Sequence, residues 1–355
     1  MDKRKKSGRG ILLCLVVIMM LALTACGDGK RIVLTTGFGE HEVFRVDNLS
    51  CYDYEVMIYL ANIYNQYSMV YGEEIWQSQV EGVSLEENVR QTVLARIAKI
   101  KMMNLLAAHY NLELTEEEQD MAARCAREYY NTLSEEEIAF FGGIKEDELQ
   151  EMYEEYALAH KVYEFLVSDV NPEVSDDEAR TVTVKEIIIP TVYEGADGAM
   201  VAYSPAEQQE AYELALEVLE LARAGEDFDS LMISYGASES GTYSFRREEC
   251  EAALADAVFA LGEDEISEVL QGGTAYYIFY CVSPFDRDET EVAKTEIVRQ
   301  RRREAFERVY GIFKEENECY LNETLWAEIH FSGNPEVDTA NFFDIFEVYY
   351  GTAEY

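Results

Sequence analysis

The stretch TVKEIIIPTV, Thr183–Val192, has the pattern of a β-strand that ends at Pro190. Successive side chains of a strand point to opposite faces, so Val184, Glu186 and Ile188 share one face. That face is apolar with a carboxylate at its centre. An edge strand whose Glu186 reaches water would explain the pattern. The alternative is that Glu186 belongs to a site, and the flanking sequence bears on the choice.

Helical patterns dominate the sequence before this strand. The capping box, Ser or Thr followed three residues later by Glu, marks helix N-termini. It starts at Ser84, Thr115, Ser134, Ser175 and Ser204. Residues 30–51 differ, because β-branched residues around a Gly-rich turn predict a short hairpin there. We therefore expect a mainly helical region over residues 26–181.

The sequence after the strand predicts a loop over 191–203, a helix from Pro205 to about Gly225, a second short helix and a final strand. Two segments, ARAGEDFDSLMISYGAS (222–238) and ALADAVFALGEDEISEVLQGGTAYYIFYCV (253–282), fix the order of these elements. Residues 286–355 return to a helical pattern and end in the aromatic, acidic tail NFFDIFEVYYGTAEY, either a packed helix or an exposed segment.

These two segments give residues 182–285 a resemblance to the parvulin (PpiC-type) family of peptidyl-prolyl isomerases. Phe228 and Leu231 match a family helix end, and Phe259–Leu261, Glu265–Ser267 and Ala275–Tyr280 match later family segments in order. The resemblance implies an α+β fold, a small antiparallel sheet flanked by helices. The whole chain is similar to foldases of the PrsA type, which implies a helical SurA/PrsA-like chaperone domain, residues 26–181 and 286–355, with the parvulin-like domain 182–285 inserted.

The resemblance also locates a site, and the family's residues are changed there. Glu186 and Tyr277 stand where parvulins usually have histidines, and Ser238 stands near the usual Cys or Asp. The apolar proline pocket of the family maps onto Tyr243, Cys250 and Leu254. No histidine occurs between residues 181 and 285, so the usual imidazole pair is missing.

Prolyl isomerisation makes and breaks no covalent bond. Its barrier of about 20 kcal/mol comes from amide resonance, so a catalyst needs an apolar slot for the ring and an environment that favours the twisted amide. One reading is a chaperone whose isomerase activity is weak or lost. The alternatives are an active isomerase in which Glu186 hydrogen-bonds Tyr277, and a non-catalytic scaffold protein. Segment 191–203 lacks Lys and Arg, which argues against selection of phosphorylated substrates.

The N-terminus has the layout of a secretory signal peptide over residues 1–25, with basic residues followed by an apolar run too short to span a bilayer. Leu23–Cys26 resembles the lipobox of bacterial lipoproteins, in which the cysteine is diacylated. This implies lipidation of Cys26 and a place on the extracytoplasmic face of the cell membrane.

Charge and cysteine content narrow the function further. The formal charge of −41 disfavours nucleic-acid binding and favours basic clients. The five cysteines that follow Cys26 have irregular spacings without a CxxC motif. This pattern predicts no metal site and no disulfide framework. The resemblance implies no cofactor, and the expected partners are unfolded or partly folded exported proteins, including their X-Pro segments.

Overall fold

The computed structural model of the chain describes residues 37–196, 198–235, 241–353 and 355. The predicted signal peptide, Cys26 and Ser238 lie outside the described residues. The chain divides into two compact units. We call them the helical unit, which ends at Asp169 and resumes from Arg303 to Tyr355, and the sheet unit, Val170–Arg302.

The first part of the helical unit packs long helices beside a small hairpin. Its elements are β1 (Glu42–Val46), β2 (Leu49–Tyr52), α1 (Asp53–Tyr71), β3 (Gln79–Val80), β4 (Val83–Ser84), α2 (Leu85–Tyr110), α3 (Glu116–Thr132), α4 (Glu135–Phe140) and α5 (Glu146–Val167). A 3₁₀ turn, Glu73–Gln77, follows α1.

The sheet unit contains an antiparallel sheet and its covering helices. Its elements are α6 (Asp176–Ala179), β5 (Thr181–Pro190), β6 (Val192–Glu194), β7 (Met200–Ala202), α7 (Pro205–Arg223), α8 (Phe228–Tyr235), β8 (Tyr243–Arg246), α9 (Ala252–Val258), β9 (Leu270–Gln271) and β10 (Ala275–Ser283). The four-stranded sheet has the order β8-β5-β10-β9. Long helices with small antiparallel sheets confirm the predicted α+β class.

The chain then passes through α10 (Arg287–Glu316), which continues into the helical unit, followed by β11 (Cys319–Leu321), α11 (Glu323–Trp326) and α12 (Phe342–Tyr350). Strand β11 pairs with β1, so three strands close one small sheet of the helical unit. The aromatic tail is α12, with Phe342 and Phe346 fully buried, which confirms the packed-helix alternative. Within the described ranges, no helix combines the length and the apolar character needed to cross a bilayer.

All five predicted capping boxes lie at helix N-termini. In each, the side-chain hydroxyl accepts a hydrogen bond from the backbone N–H three residues on, which satisfies one of the amides that a helix start leaves unpaired. The capping residues are Ser84, Thr115, Ser134, Ser175 and Ser204.

Two local predictions need correction. The first hairpin turns at Asp47 and Asn48 instead of at the Gly-rich segment, and Asp47 takes the left-handed backbone conformation (φ 50°) that such a tight turn requires. Segment 191–203, predicted as a loop, contains the hairpin β6–β7.

A buried ion cluster ties three elements of the helical unit together. Lys101 on α2 is 3% exposed, and its Nζ lies 2.8 Å from Glu55 Oε2 on α1 and 2.6 Å from Glu155 Oε2 on α5. Two carboxylates share one ammonium group, so a net negative charge is buried. Burial together with the neighbouring Glu55 raises the pKa of Glu155 to about 7, against the opposing pull of Lys101.

Candidate functional site

Strand β5, which carries Glu186, has a neighbour on each side. It pairs with β8 along Thr181–Val184 and with β10 along Thr183–Pro190. The edge-strand explanation therefore fails for Thr181–Val184, but at Glu186 itself the only described neighbour is β10, so β5 is locally an edge there. These long-range pairings are not visible in the local sequence, which shows only that the strand has two unlike faces.

One face of the sheet is covered by α7 and α8. Ile187 and Ile189 of β5 and Ile278 of β10 pack there against Val218 and Leu231 of the two helices. This layer is a continuous apolar core. It fixes the orientation of β5, since a shift by one residue would bring Glu186 into the core.

The other face is covered over only part of its area. Helix α9 packs on Val182 and Val184, and Leu254 of α9, 3% exposed, is buried among them. Farther along β5, Glu186 and Ile188 are only half-buried. The exposed part of this face is the candidate site.

The register of β5 and β10 brings the two predicted histidine positions to this face. Glu186 lies directly opposite Phe279, and Tyr277 lies directly opposite Ile188. The rings of Tyr277 and Phe279 are stacked, with centroids 5.9 Å apart and planes within 5°. No hydrogen bond joins Glu186 to Tyr277 in the described part of the chain.

Burial dominates the electrostatics of this face. It raises the pKa of Glu186, because the half-buried carboxylate loses hydration and gains no compensating partner. The pKa of the Cys250 thiol is raised first by burial, and then by the negative charges of Glu251 and Glu186. The thiol is therefore held in its neutral, unreactive form, and the carboxylate takes up a proton more readily than an exposed Glu does.

The sequence analysis did not identify Glu251 as part of this site. Its Oε1 accepts a hydrogen bond from the Gly273 N–H at 2.8 Å. A Cβ on Gly272 would lie 2.6 Å from Tyr277 Cε2 and 2.7 Å from Glu251 Oε2, so only glycine fits between them. The Gly-Gly pair before the final strand was a signal that the backbone approaches other groups closely here.

The remaining predicted residues have different surroundings. Tyr243 of β8 pairs with Val184 and is 37% exposed, and Cys250 is half-buried at the margin of the α9 core. Leu254 belongs to the packed core under α9. Ser238 lies outside the described residues. The described residues include no group of three or more His, Cys, Asp or Glu placed to hold a metal ion.

Taken together, the face offers an apolar shelf with two carboxylates and a phenol at its margin. The half-buried side chains of Ile188 and Leu270 supply hydrophobic area that suits a pyrrolidine ring, and the buried Phe279 packs beneath them in the core. The two carboxylates only accept hydrogen bonds when ionised and cannot donate one to a twisted amide, so the Tyr277 hydroxyl is the one remaining side-chain donor among these three groups.

Comparison with solved structures finds several foldases. They include the peptidylprolyl isomerase PrsA from Bacillus cereus (15% identity, 76% of this chain and 97% of that chain, TM-score 0.33). The foldase protein PrsA from Streptococcus pneumoniae has 19% identity over 76% of this chain and 98% of that chain, with a TM-score of 0.25. A SurA-like chaperone structure from Campylobacter jejuni has 11% identity over 79% and 99%, with a TM-score of 0.28. All three TM-scores are below 0.5, so the function of this chain is not inferred from them.

A comparison with curated protein sequences returns no significant match. A family model does match: "Rotamase: PPIC-type PPIASE domain", over residues 199–283. The match begins after β5, so it contains Tyr243, Cys250, Leu254 and Tyr277 but not Glu186. It agrees with the sheet and helix order described above, and residues 199–283 of this chain are therefore a PPIC-type rotamase domain.

Proposed function

We propose that this protein is a membrane-anchored extracytoplasmic folding factor, a chaperone for exported proteins whose rotamase domain isomerises prolyl bonds weakly or not at all. The observation that carries the proposal is the composition of the open sheet face. It keeps an apolar shelf beside Phe279, but it places Glu186 and Tyr277 where the family usually has imidazoles.

The chemistry of these substitutions supports weak catalysis. The transition state is a twisted amide, and a catalyst must interact with it more strongly than with the planar ground state. Glu186 has no hydrogen-bonding partner among the described residues that would fix its carboxylate. A carboxylate that is neither paired nor held in position contributes little preorganised stabilisation.

The helical unit supports the chaperone part of the proposal. It exposes large apolar side chains, which include Met69 at 77% and Phe165 at 46%. Exposed apolar surface on a strongly acidic chain suits reversible contact with unfolded segments. The membrane anchor of the proposal rests on the lipobox-like sequence Leu23–Cys26.

An assay of client aggregation tests the chaperone activity. The full chain and a variant without residues 182–285 should both suppress aggregation of a chemically unfolded client. A folded protein of similar net charge, without exposed apolar surface, is the control, because repulsion alone can keep a client dispersed. Suppression by the control to the same extent would remove the support for a chaperone and favour the scaffold alternative.

A second candidate function, an active isomerase with an altered site, is favoured by the raised pKa of Glu186. When protonated, its carboxyl group can donate a hydrogen bond to the substrate amide. Activity of this kind should increase as the pH falls and should be lost in Glu186→Ala, whereas a site without function should show neither effect.

A further inference from the structure

The helical unit carries a row of six aromatic rings. The aromatic row consists, in order, of Phe140, Phe331, Tyr64, Trp76, Tyr67 and Tyr71. Successive ring centroids lie 5.9, 5.1, 3.9, 5.9 and 6.0 Å apart, so each ring is in contact distance of the next. The rotamase domain contributes no residue to this row.

Local sequence explains how the row forms. Tyr64, Tyr67 and Tyr71 recur at spacings of three and four along α1, so they share one helix face. Trp76 follows on the 3₁₀ turn, stacks on Tyr64 with planes 5° apart, and donates its Nε1–H to Ser68 Oγ at 2.8 Å. The row is therefore preorganised rather than a set of independent side chains.

Both ends of the row reach the surface. Tyr71 is 42% exposed and Phe140 is 38% exposed, whereas the rings between them are more deeply buried. Beside Tyr71, Met69 and Val70 are 77% and 70% exposed. A fixed row of rings next to flexible exposed apolar side chains is a surface that can adapt to different apolar partners.

A notch opens in the middle of the row. Its enclosed volume is only about 10 Å³, it is open to solvent at its mouth, and it is lined by Tyr64, Trp76, Phe331 and Arg90 among others. The deepest part is about the size of one water molecule. A guest ring would therefore lie across the mouth, on Trp76, and only a small polar group such as a carbonyl oxygen would reach the bottom.

Arg90 lines the notch as a buried, ion-paired side chain. It is 8% exposed, and its Nη1 donates to the carbonyl oxygens of Trp326 and Ile329 at 3.3 and 2.9 Å. Glu87 Oε2 lies 3.0 Å from Arg90 Nε and balances its charge. Arg90 therefore forms part of the wall of the notch.

The surroundings of the row are acidic. The segments that supply the rings, residues 46–89, 128–144 and 315–355, contain no Lys or Arg at all. Glu73 and Glu74 lie on the 3₁₀ turn beside Trp76, and Glu86 lines the notch. Charge complementarity therefore selects a cationic guest.

We propose that the aromatic row is a docking site for an extended, unfolded segment that carries aromatic side chains with Lys or Arg close by. This inference rests on the proposed chaperone function and names the class of client segment that the helical unit prefers. The rings of the guest add to the row, and its basic side chains meet the acidic margin.

Fluorescence anisotropy of labelled, unstructured peptides with the full chain tests the proposal. The reference peptide contains Phe and Lys; one variant peptide replaces Phe by Leu, and another replaces Lys by Glu. The protein variant Met69→Ser/Tyr71→Ser removes exposed apolar area from the row. The matched control, Ile312→Ser/Val348→Ser, removes exposed apolar side chains of the same unit that do not belong to the row; Ile312 and Val348 are 62% and 80% exposed.

The row variant should bind the reference peptide at least about tenfold more weakly, and the control variant should bind it like the wild type; a tenfold change corresponds to about 1.4 kcal/mol. Both altered peptides should bind the wild type more weakly. A photoreactive benzoyl group on the peptide's Phe should crosslink within residues 67–76. Circular dichroism melting curves check that all variants are folded.

Three results would overturn the docking site. One is equal binding by the row and control variants, and another is crosslinking outside the row. The third is concentration-dependent dimerisation of the wild type, measured by sedimentation, that is lost in Met69→Ser/Tyr71→Ser; this would make the row a self-association surface. If one of these results is found and the wild type still suppresses aggregation, only the proposed docking site is wrong. If the wild type neither binds the peptides nor suppresses aggregation, the proposed chaperone function is wrong.

Discussion

The carbonyl oxygen of Thr181 accepts a hydrogen bond from the backbone N–H of Asp286 at 2.9 Å. The N–H of Thr181 in turn donates to Thr290 Oγ1 at 3.2 Å, on the first turn of α10. Residues 182–285 therefore begin and end at the same point of the sheet unit. Closely spaced termini are typical of domains that tolerate insertion and removal.

Removing residues 182–285 and joining Thr181 to Asp286 through a short Gly/Ser linker should leave the helical unit folded. A fragment that stops at Asp169 should be much less stable, because it lacks Phe306, Phe342 and Phe346, which are at most 1% exposed. Loss of one buried Phe side chain typically costs about 3–5 kcal/mol. Thermal unfolding followed by circular dichroism compares the two, and equal melting temperatures would contradict this account.

Cys26→Ser should release the protein from the membrane or leave it unprocessed. Two acyl chains anchor a protein stably, and a protein without acyl chains lacks that anchor. Labelled fatty acid should be incorporated into the wild type and not into the variant. Cys51→Ser is a matched control, since Cys51 is a fully buried thiol of the helical unit. Wild-type protein that stays on the membrane without taking up the label would show that the lipobox interpretation is wrong.

The ion cluster around Lys101 predicts a pH dependence of stability. The pKa of Glu155 in the folded protein is raised from its usual value near 4.5 to about 7. The folded state therefore binds a proton that the unfolded state releases, so the free energy of unfolding falls as the pH rises from about 4.5 to about 7. Because one pKa unit corresponds to about 1.4 kcal/mol and the Glu155 side chain is 29% exposed, which screens its charge, we expect a reduced fall of about 1–2 kcal/mol from this group.

Urea unfolding at several pH values measures this change, and Glu155→Gln should flatten the profile. Lys101→Met should be more harmful, with a loss of about 3 kcal/mol, because it leaves the buried Glu55 and the partly exposed Glu155 carboxylates without their cation. A profile unchanged by Glu155→Gln would mean that another group carries the pH dependence.

Gly272→Ala should destabilise the sheet unit by about 1–3 kcal/mol, since the new methyl group would overlap Tyr277 and Glu251. Gly273→Ala is the control, because a Cβ there meets its nearest atom, Glu251 Oε1, at 3.6 Å, an ordinary contact. Thermal melting of the two variants distinguishes them. Equal melting temperatures would argue against the close approach of Tyr277 and Glu251 around Gly272.

Local signals in the sequence predicted helix starts well. The five capping residues needed only a hydroxyl and a Glu three positions later, and both partners lie within one turn. The aromatic tail was ambiguous because its burial depends on distant partners: Phe342 stacks on Tyr153, with ring centroids 4.3 Å apart. Sequence pattern alone does not reveal contacts between residues so far apart in the chain.

In the candidate site, too, local patterns were predictable from the sequence and contacts between distant residues were not. Alternation along β5 correctly separated Glu186 from Ile187, but the strand's position in the sheet depended on pairing with β8 and β10. The motif resemblance pointed to Tyr277. Glu251 was missed because only the three-dimensional approach of its carboxylate to Gly272 and Gly273 connects it with the open face.

The central claim is that chaperone activity persists while prolyl isomerisation is weak, and a protease-coupled isomerisation assay on an X-Pro peptide tests it most directly. Ile188→Glu places a charge on the half-buried shelf opposite Tyr277. It is a better probe than a substitution of Leu254, which is core and would unfold the domain. Aggregation suppression is measured on the same preparations.

We expect wild-type protein to accelerate the slow phase by less than about tenfold at any practical concentration, which corresponds to less than about 1.4 kcal/mol of barrier reduction. Ile188→Glu should then change neither that rate nor aggregation suppression. Strong acceleration by the wild type that is abolished in a folded Ile188→Glu variant would contradict the account and establish an active isomerase with an altered site.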